Sequence, residues 1–322
     1  MKSLSIVFDN DGAYYPGDTV TGKVVFTNSK PVKARSITLN WEGINESHAE
    51  IFSFSTYKKS IFSHDSILWA PKSGEELITA GTHEYPFSYK LPADCPPSLQ
   101  FYDVKNQYKA TVVVDRPWKK NLMEEAEFVV TKKLDVQGPN TKTYTQTFNK
   151  TGLFVNNGPI TLSITLPTVV QPGQTIDLTY KIINNSSATV DLLKARLTKN
   201  AHYHAREQHT PCQTYYSCPL SKGQRVFWAT QLGKSDSAQV DIAPYTESTY
   251  QMPFKISEMA TTPNFATGLM TFAYEIEVGF EVKGSAAFWT SFYVSMSIGE
   301  EKEEKKTPPK SLDSGAPPAY SA

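Results

Sequence analysis

An all-β chain is predicted, built as two tandem β-sandwich domains with a disordered C-terminal tail. Three observations carry this reading: short strands that alternate apolar and polar residues with period two, recurrence of one strand pattern 156 residues further along, and no window with the periodicity of an amphipathic helix. A length of 322 residues suffices for two domains that each bury their own core.

The repeat opens at a Pro-Gly turn. Pro16-Gly17-Asp18-Thr19-Val20 returns as Pro172-Gly173-Gln174-Thr175-Ile176. In the strand that follows, Val20, Gly22, Val24 and Phe26 share one face, matched by Ile176, Leu178, Tyr180 and Ile182. Thr21, Lys23 and Thr27 face away, and both strands end in asparagine, Asn28 and Asn184, as a turn favours. The next strands keep the offset: Ile37, Leu39 and Trp41 against Leu193, Ala195 and Leu197. Later it grows to 166, where Tyr108, Ala110, Val112 and Val114 align with Tyr274, Ile276, Val278 and Phe280. One wet and one dry face per strand suits antiparallel sheets stacked as a sandwich. The joint is expected in the turn-rich stretch Asn156-Asn157-Gly158-Pro159, giving domains 1–157 and 158–298. Residues 299–322, a charged run followed by a Ser/Gly/Ala/Pro stretch, have too little apolar content to offset the entropy of ordering.

Composition narrows the function. Lys+Arg and Asp+Glu both number 32, so charge gives no case for nucleic acid, and no phosphate-cradling glycine loop is present. No apolar run approaches the ~18 residues of a membrane span. The start lacks the apolar stretch of a secretory signal, and three cysteines suit a reducing compartment. A cytoplasmic location is expected. Catalysis has no foothold: there is no Gly-x-Ser-x-Gly elbow, and the acid pairs Glu124-Glu125 and Glu275/Glu277 read as solvated faces. His202, His204, His209, Cys212 and Cys218 are residue types that zinc accepts, but Cys-x5-Cys is not a paired zinc spacing. They read as a polar strand end running into a loop with ordinary thiols, and neither a metal nor a cofactor is expected. Cys95, Tyr14-Tyr15 and Arg116-Pro117-Trp118-Lys119-Lys120 read as turn and loop residues, the last also as a weak patch for anionic lipid or an acidic cargo tail.

The sharpest functional signal is Pro317-Pro318-Ala319-Tyr320. Two prolines hold the segment in the extended polyproline II form, which suits the aromatic groove of a WW domain. Tyr320 would fill the second pocket, so Pro317, Pro318 and Tyr320 are the candidate binding residues.

The run Tyr15-Pro16-Gly17-Asp18-Thr19-Val20-Thr21-Gly22-Lys23-Val24 resembles the opening of arrestin domain-containing proteins, the α-arrestins. So do Tyr85-Pro86-Phe87-Ser88-Tyr89-Lys90-Leu91-Pro92 and Tyr108-Lys109-Ala110-Thr111-Val112. Pro253-Phe254-Lys255-Ile256 and Tyr274-Glu275-Ile276-Glu277-Val278 are similar to the C-terminal arrestin domain. The resemblance, covering about residues 1–298, implies two immunoglobulin-like, arrestin-type sandwiches and an adaptor role. Such an adaptor binds cytoplasmic parts of membrane receptors or transporters and recruits HECT-type ubiquitin ligases by their WW domains. That promotes cargo ubiquitination, endocytosis and sorting, with recruitment to the plasma membrane and endosomes through cargo. Relatives often carry two Pro-Pro-x-Tyr motifs; here the other proline pair reads Pro308-Pro309-Lys310-Ser311, without tyrosine, so avidity between linked motifs is lost. The alternative is a ligase-independent sorting scaffold that binds cargo through its sandwiches. A more distant one is a redox-linked binder working through Cys212 or Cys218.

Overall fold

The computed structural model describes residues 2–49, 55–73, 76–102, 104–134, 140–149, 158–203, 227–267, 270–284 and 289–300. Among them every regular element is a β-strand. In the first half, a three-stranded sheet joins β1 (Lys2–Phe8), β2 (Thr19–Asn28) and β7 (Gly81–Lys90) in that order. It faces a sheet ordered β10 (Leu122–Phe128), β9 (Val104–Asp115), β4 (Ser36–Ala49), β5 (Ser55–Trp69), with β8 (Leu99–Phe101) also on β9. A short pair, β3 (Val32–Ala34) and β6 (Glu76–Ile78), closes one end.

The second half repeats the plan. One sheet is ordered β11 (Thr141–Phe148), β12 (Ile160–Pro167), β14 (Thr175–Asn184), β18 (Thr246–Lys255). The other runs β13 (Val169–Val170), β21 (Thr290–Ile298), β20 (Met270–Val282), β15 (Val190–Tyr203), β16 (Phe227–Gln231). On it, β17 (Asp236–Ile242) also pairs β15, and β19 (Phe265–Ala266) pairs β20. β11 precedes the turn-rich stretch at 156–159, yet it is hydrogen-bonded along its length to β12, which follows that stretch.

Alternation in the sequence becomes alternation in burial. Along β2 and β9 every second residue is buried, and Val20, Val24, Phe26, Ala110, Val112 and Val114 are fully enclosed. Ile182, Leu178, Ile276, Val278 and Phe280 are enclosed in the same way in the second half. The central strand pairs share one register. Ile37 lies opposite Val114, Leu39 opposite Val112 and Trp41 opposite Ala110. Their counterparts pair likewise: Leu193 with Phe280, Ala195 with Val278, Leu197 with Ile276. Aromatic rings fill the first core around Trp41, which stacks on Tyr89 at 4.9 Å and meets Phe87 and Phe128 edge-on. Tyr14 belongs to this core rather than to a loop: its ring packs on Phe128 at 5.9 Å and it is buried.

The repeated turns match bond for bond. Gly17 and Gly173 take positive φ (86° and 78°), a conformation that costs little without a Cβ. Gly17 N donates to Pro92 O, and Gly173 N to Ile256 O, both at 3.2 Å; Leu91 N to Asp18 O and Ile256 N to Gln174 O are both 2.8 Å. The strand-ending asparagines are more than turn formers. Asn28 Nδ2 donates to Lys30 O and Thr79 O, each at 2.9 Å, and Asn184 Nδ2 to Ala188 O at 2.8 Å and Ala243 O at 3.0 Å. Each thus clips its own turn to the hairpin entering the neighbouring strand. Asn184 Oδ1 also accepts from Ser186 Oγ at 2.5 Å, whereas Asn28 Oδ1 has no partner among the described residues.

Val112→Asp or Val278→Asp places an unpaired charge on a fully enclosed face and is expected to destabilise the protein by about 4 kcal/mol or more. A wild-type thermal melt for either variant would contradict the face assignment. Asn184→Ala is expected to cost about 3 kcal/mol and Asn28→Ala about 2, because the former orphans more buried partners; urea titrations giving the opposite order would refute this account.

The interdomain seam and the origin of the tail

Where the two sandwiches meet, the first supplies apolar residues to the second. Leu99, Phe101 and Val104 are buried within the second core, and Phe101 meets Phe272 edge-on at 5.9 Å. The Lys199 ammonium lies 4.9 Å from the centre of the same ring, and Tyr102 exchanges a 2.8 Å hydrogen bond with Thr230. Tyr108 and Asn106 brace the loop beside it. The Tyr108 hydroxyl donates to Pro96 O at 2.6 Å, and Asn106 Nδ2 to Pro97 O at 3.0 Å. Tyr274 repeats the first of these bonds in the second half, donating to Thr262 O at 3.0 Å.

Beside this contact lies a cleft of about 450 Å³, lined among others by Tyr15, Pro16, Cys95, Lys133, Phe265 and Thr267. Its chemistry is that of a recess between domains rather than of a reaction centre. Burial, aided by Asp94, pushes the Cys95 thiol up to about 11, so it is protonated and unreactive at neutral pH.

The end of β21 runs to this seam. Gly299 N donates to Val170 O at 3.0 Å, and the chain passes so close to Leu134 and Pro263 that an added Cβ would lie 3.1 Å from each. Glu300 is then held three ways. Tyr15 donates its hydroxyl to one carboxylate oxygen at 2.7 Å, Lys133 approaches the other at 3.4 Å, and Leu134 N donates to the Glu300 carbonyl at 2.7 Å. The Tyr15 hydrogen bond and then Lys133 hold this carboxyl below the usual carboxylate range, while the same bond raises the Tyr15 phenol. The described chain therefore ends at the seam, on the side of the first sandwich. Glu300 reads in the sequence as the first member of a charged run, and a contact across 285 positions leaves no local signal.

The sequence-derived candidates fall as follows. Pro317, Pro318 and Tyr320 lie outside the described residues, as do His204, His209, Cys212 and Cys218. His202 is buried on β15. Among the described residues no three His, Cys, Asp or Glu side chains converge as a metal site would need. Two carboxylates read as solvated are not. Glu277 is 4 % exposed, paired with Arg196 and accepting from Ser291 Oγ at 2.5 Å. Glu275 accepts from Asn200 Nδ2 at 2.5 Å, and burial raises its carboxyl above the usual range. Both sit on the inner strand β20 of a wide sheet, where neighbouring strands shield even the outward face. Each is engaged by a structural partner, which removes the pair from acid–base work.

Two family models match the chain: the arrestin (or S-antigen) N-terminal domain over residues 4–137, and the arrestin (or S-antigen) C-terminal domain over residues 156–298. The chain is similar to arrestin domain-containing protein 17 of Caenorhabditis elegans, 23% identical over 295 residues that cover 82% of this chain and 69% of that protein. It is also similar to arrestin domain-containing protein 4 of Homo sapiens, 29% identical over 225 residues, covering 63% of this chain and 53% of that protein. The mouse protein of the same name is 27% identical over 224 residues, with 54% of its length covered, so the chain spans about half the length of these two mammalian relatives. Two sandwiches with a shared internal register, joined through a common seam and matched by both arrestin models, place this chain in the arrestin domain-containing (α-arrestin) family.

Proposed function

We propose that the protein is a non-catalytic adaptor that links membrane-protein cargo to WW domains of HECT-type ubiquitin ligases, with Pro317, Pro318 and Tyr320 as its ligase-binding residues. The observation that carries this reading is the Pro-Pro-x-Tyr element set beyond an arrestin-family body. Sixteen residues lie between it and Glu300, the last residue held at the seam. That length allows a reach of at most about 60 Å, against a radius of gyration of about 15 Å for a domain of this size. A ligase domain can therefore dock on the motif without touching the sandwiches, which stay available for receptor or transporter tails. In this reading the adaptor works in the cytoplasm and reaches the plasma membrane and endosomes by recruitment; no described helix is long and apolar enough to cross a membrane.

A single motif implies a modest affinity, on the order of 10–100 μM for one WW domain. Tyr320→Ala keeps the proline pair but empties the aromatic pocket, and binding of the full-length protein to a HECT-ligase WW domain is expected to weaken at least ~10-fold, about 1.4 kcal/mol. The thermal melt is expected to be unchanged, because both arrestin-domain matches end before Tyr320. Calorimetry of wild type and variant against WW domains decides: equal heats, or none from the wild type, would favour a ligase-independent scaffold binding cargo through its sandwiches.

A further inference from the structure

We infer that the hairpin tip between β9 and β10 contacts membrane lipid directly, with Trp118 entering the headgroup region of an anionic bilayer and Lys119 and Lys120 facing its phosphates. This goes beyond the adaptor reading and does not depend on Tyr320. Trp118 is 100 % exposed, whereas Trp41 is a core residue. It also sits at φ +58°, in the left-handed region that disfavours a bulky side chain. Two other described non-glycine residues have positive φ: Tyr102, which uses its position for the bond to Thr230 across the seam, and Tyr245, an exposed turn residue that retains more contact with the fold than Trp118. Trp118, fully exposed, buries nothing in the fold that would offset the strain.

The tip is preformed. Arg116 Nε donates to Lys120 O at 2.9 Å, and Arg116 N to Asn121 Oδ1 at 3.1 Å, so the guanidinium and amide close the turn from both sides. A ring presented on a fixed backbone loses little conformational freedom on binding. An amphipathic indole with a polar N–H is the side chain enriched where apolar and aqueous phases meet.

Charge selects the kind of surface. The chain as a whole is neutral, yet residues 116–121 carry three cations and no acid. Pairing of Ser36 with Asp115 and of Ile37 with Trp69 brings Lys33 and Lys72 to the same end of the sheet. Of the acids at that end, Asp115 is paired with Arg35 at 2.9 Å, and Glu76 stands opposite Ala34 on β6. Exposed Leu77 and Met123 add apolar area nearby. An extended acidic peptide would need a groove or an open edge. The adjoining strand β10 carries Glu124, Glu125 and Glu127, which repel such a peptide, whereas a bilayer meets only the tip.

Vesicle co-sedimentation of the full-length protein tests this, using phosphatidylcholine with and without phosphatidylserine. The expected result is binding that requires phosphatidylserine and weakens with salt. Trp118→Ser and the double change Lys119→Gln with Lys120→Gln should each lower the partition at least about fivefold. Trp118→Gly should do the same while keeping or raising the melting temperature, since glycine accepts this φ without strain. Tyr320→Ala should leave lipid binding unchanged, which separates this result from failure of the ligase reading. Equal partition of wild type and Trp118→Ser, absence of binding to phosphatidylserine vesicles, or Trp118-dependent binding to an acidic peptide instead of vesicles would overturn the inference.

Discussion

Register between the long central strands is the constraint on which this structure rests. In the first sandwich Trp41 lies opposite Ala110 and Gly43 opposite Tyr108, so each of the two large rings faces a small residue. A Cβ at Gly43 would sit 2.9 Å from the Tyr108 ring and 2.8 Å from Phe62, which shows how fully those rings occupy the space. A slip of one residue would turn Trp41, Leu39 and Ile37 to solvent and bring Thr38 and Asn40 inside. The second sandwich keeps the same pairing with different volumes, Ala195 against Val278 and Leu193 against Phe280. The asparagine clips and Pro-Gly turns hold the flanking strands to this frame, and each spans elements distant in sequence.

The two copies diverge at the seam. β9 serves the first sandwich along most of its length, but its start at Val104, with the neighbouring β8, is buried in the second core. The first sandwich therefore completes the hydrophobic core of the second, and the two are coupled by apolar burial as well as by polar contacts. Glu300, clasped by Tyr15, Lys133 and Leu134, ends the described chain at this seam.

β9 also joins the seam to the Trp118 turn. It begins at the seam and ends at Asp115, just before the Trp118 turn, a span of about 36 Å for its twelve residues. The Trp118 turn therefore lies at the end of this strand away from the seam and Glu300. Binding by surfaces and tails agrees with the placement of the acidic residues. Glu275 and Glu277, the most chemically suggestive pair, are held by Asn200, Arg196 and Ser291 within the sheet.

Much of this was legible in the sequence because a β-strand encodes its faces locally. Period-two alternation in Val20–Phe26, Ile37–Trp41 and Tyr108–Val114, and its recurrence at fixed offsets, was enough to assign the all-β class, the doubling and the inward residues. The Pro-Pro-x-Tyr element was legible for the same reason, since proline fixes its own backbone. Long-range partners were not. Tyr14 read as a loop residue until Phe128 met it, Glu277 read as solvated until Arg196 and Ser291 enclosed it, and Asn28 and Asn184 read as turn formers although they clip hairpins more than fifty residues away. Only the tertiary structure decided these roles, because burial and hydrogen-bond partners in an antiparallel sandwich come from strands far apart in the chain, and a residue's own neighbours carry no record of which strand will lie beside it.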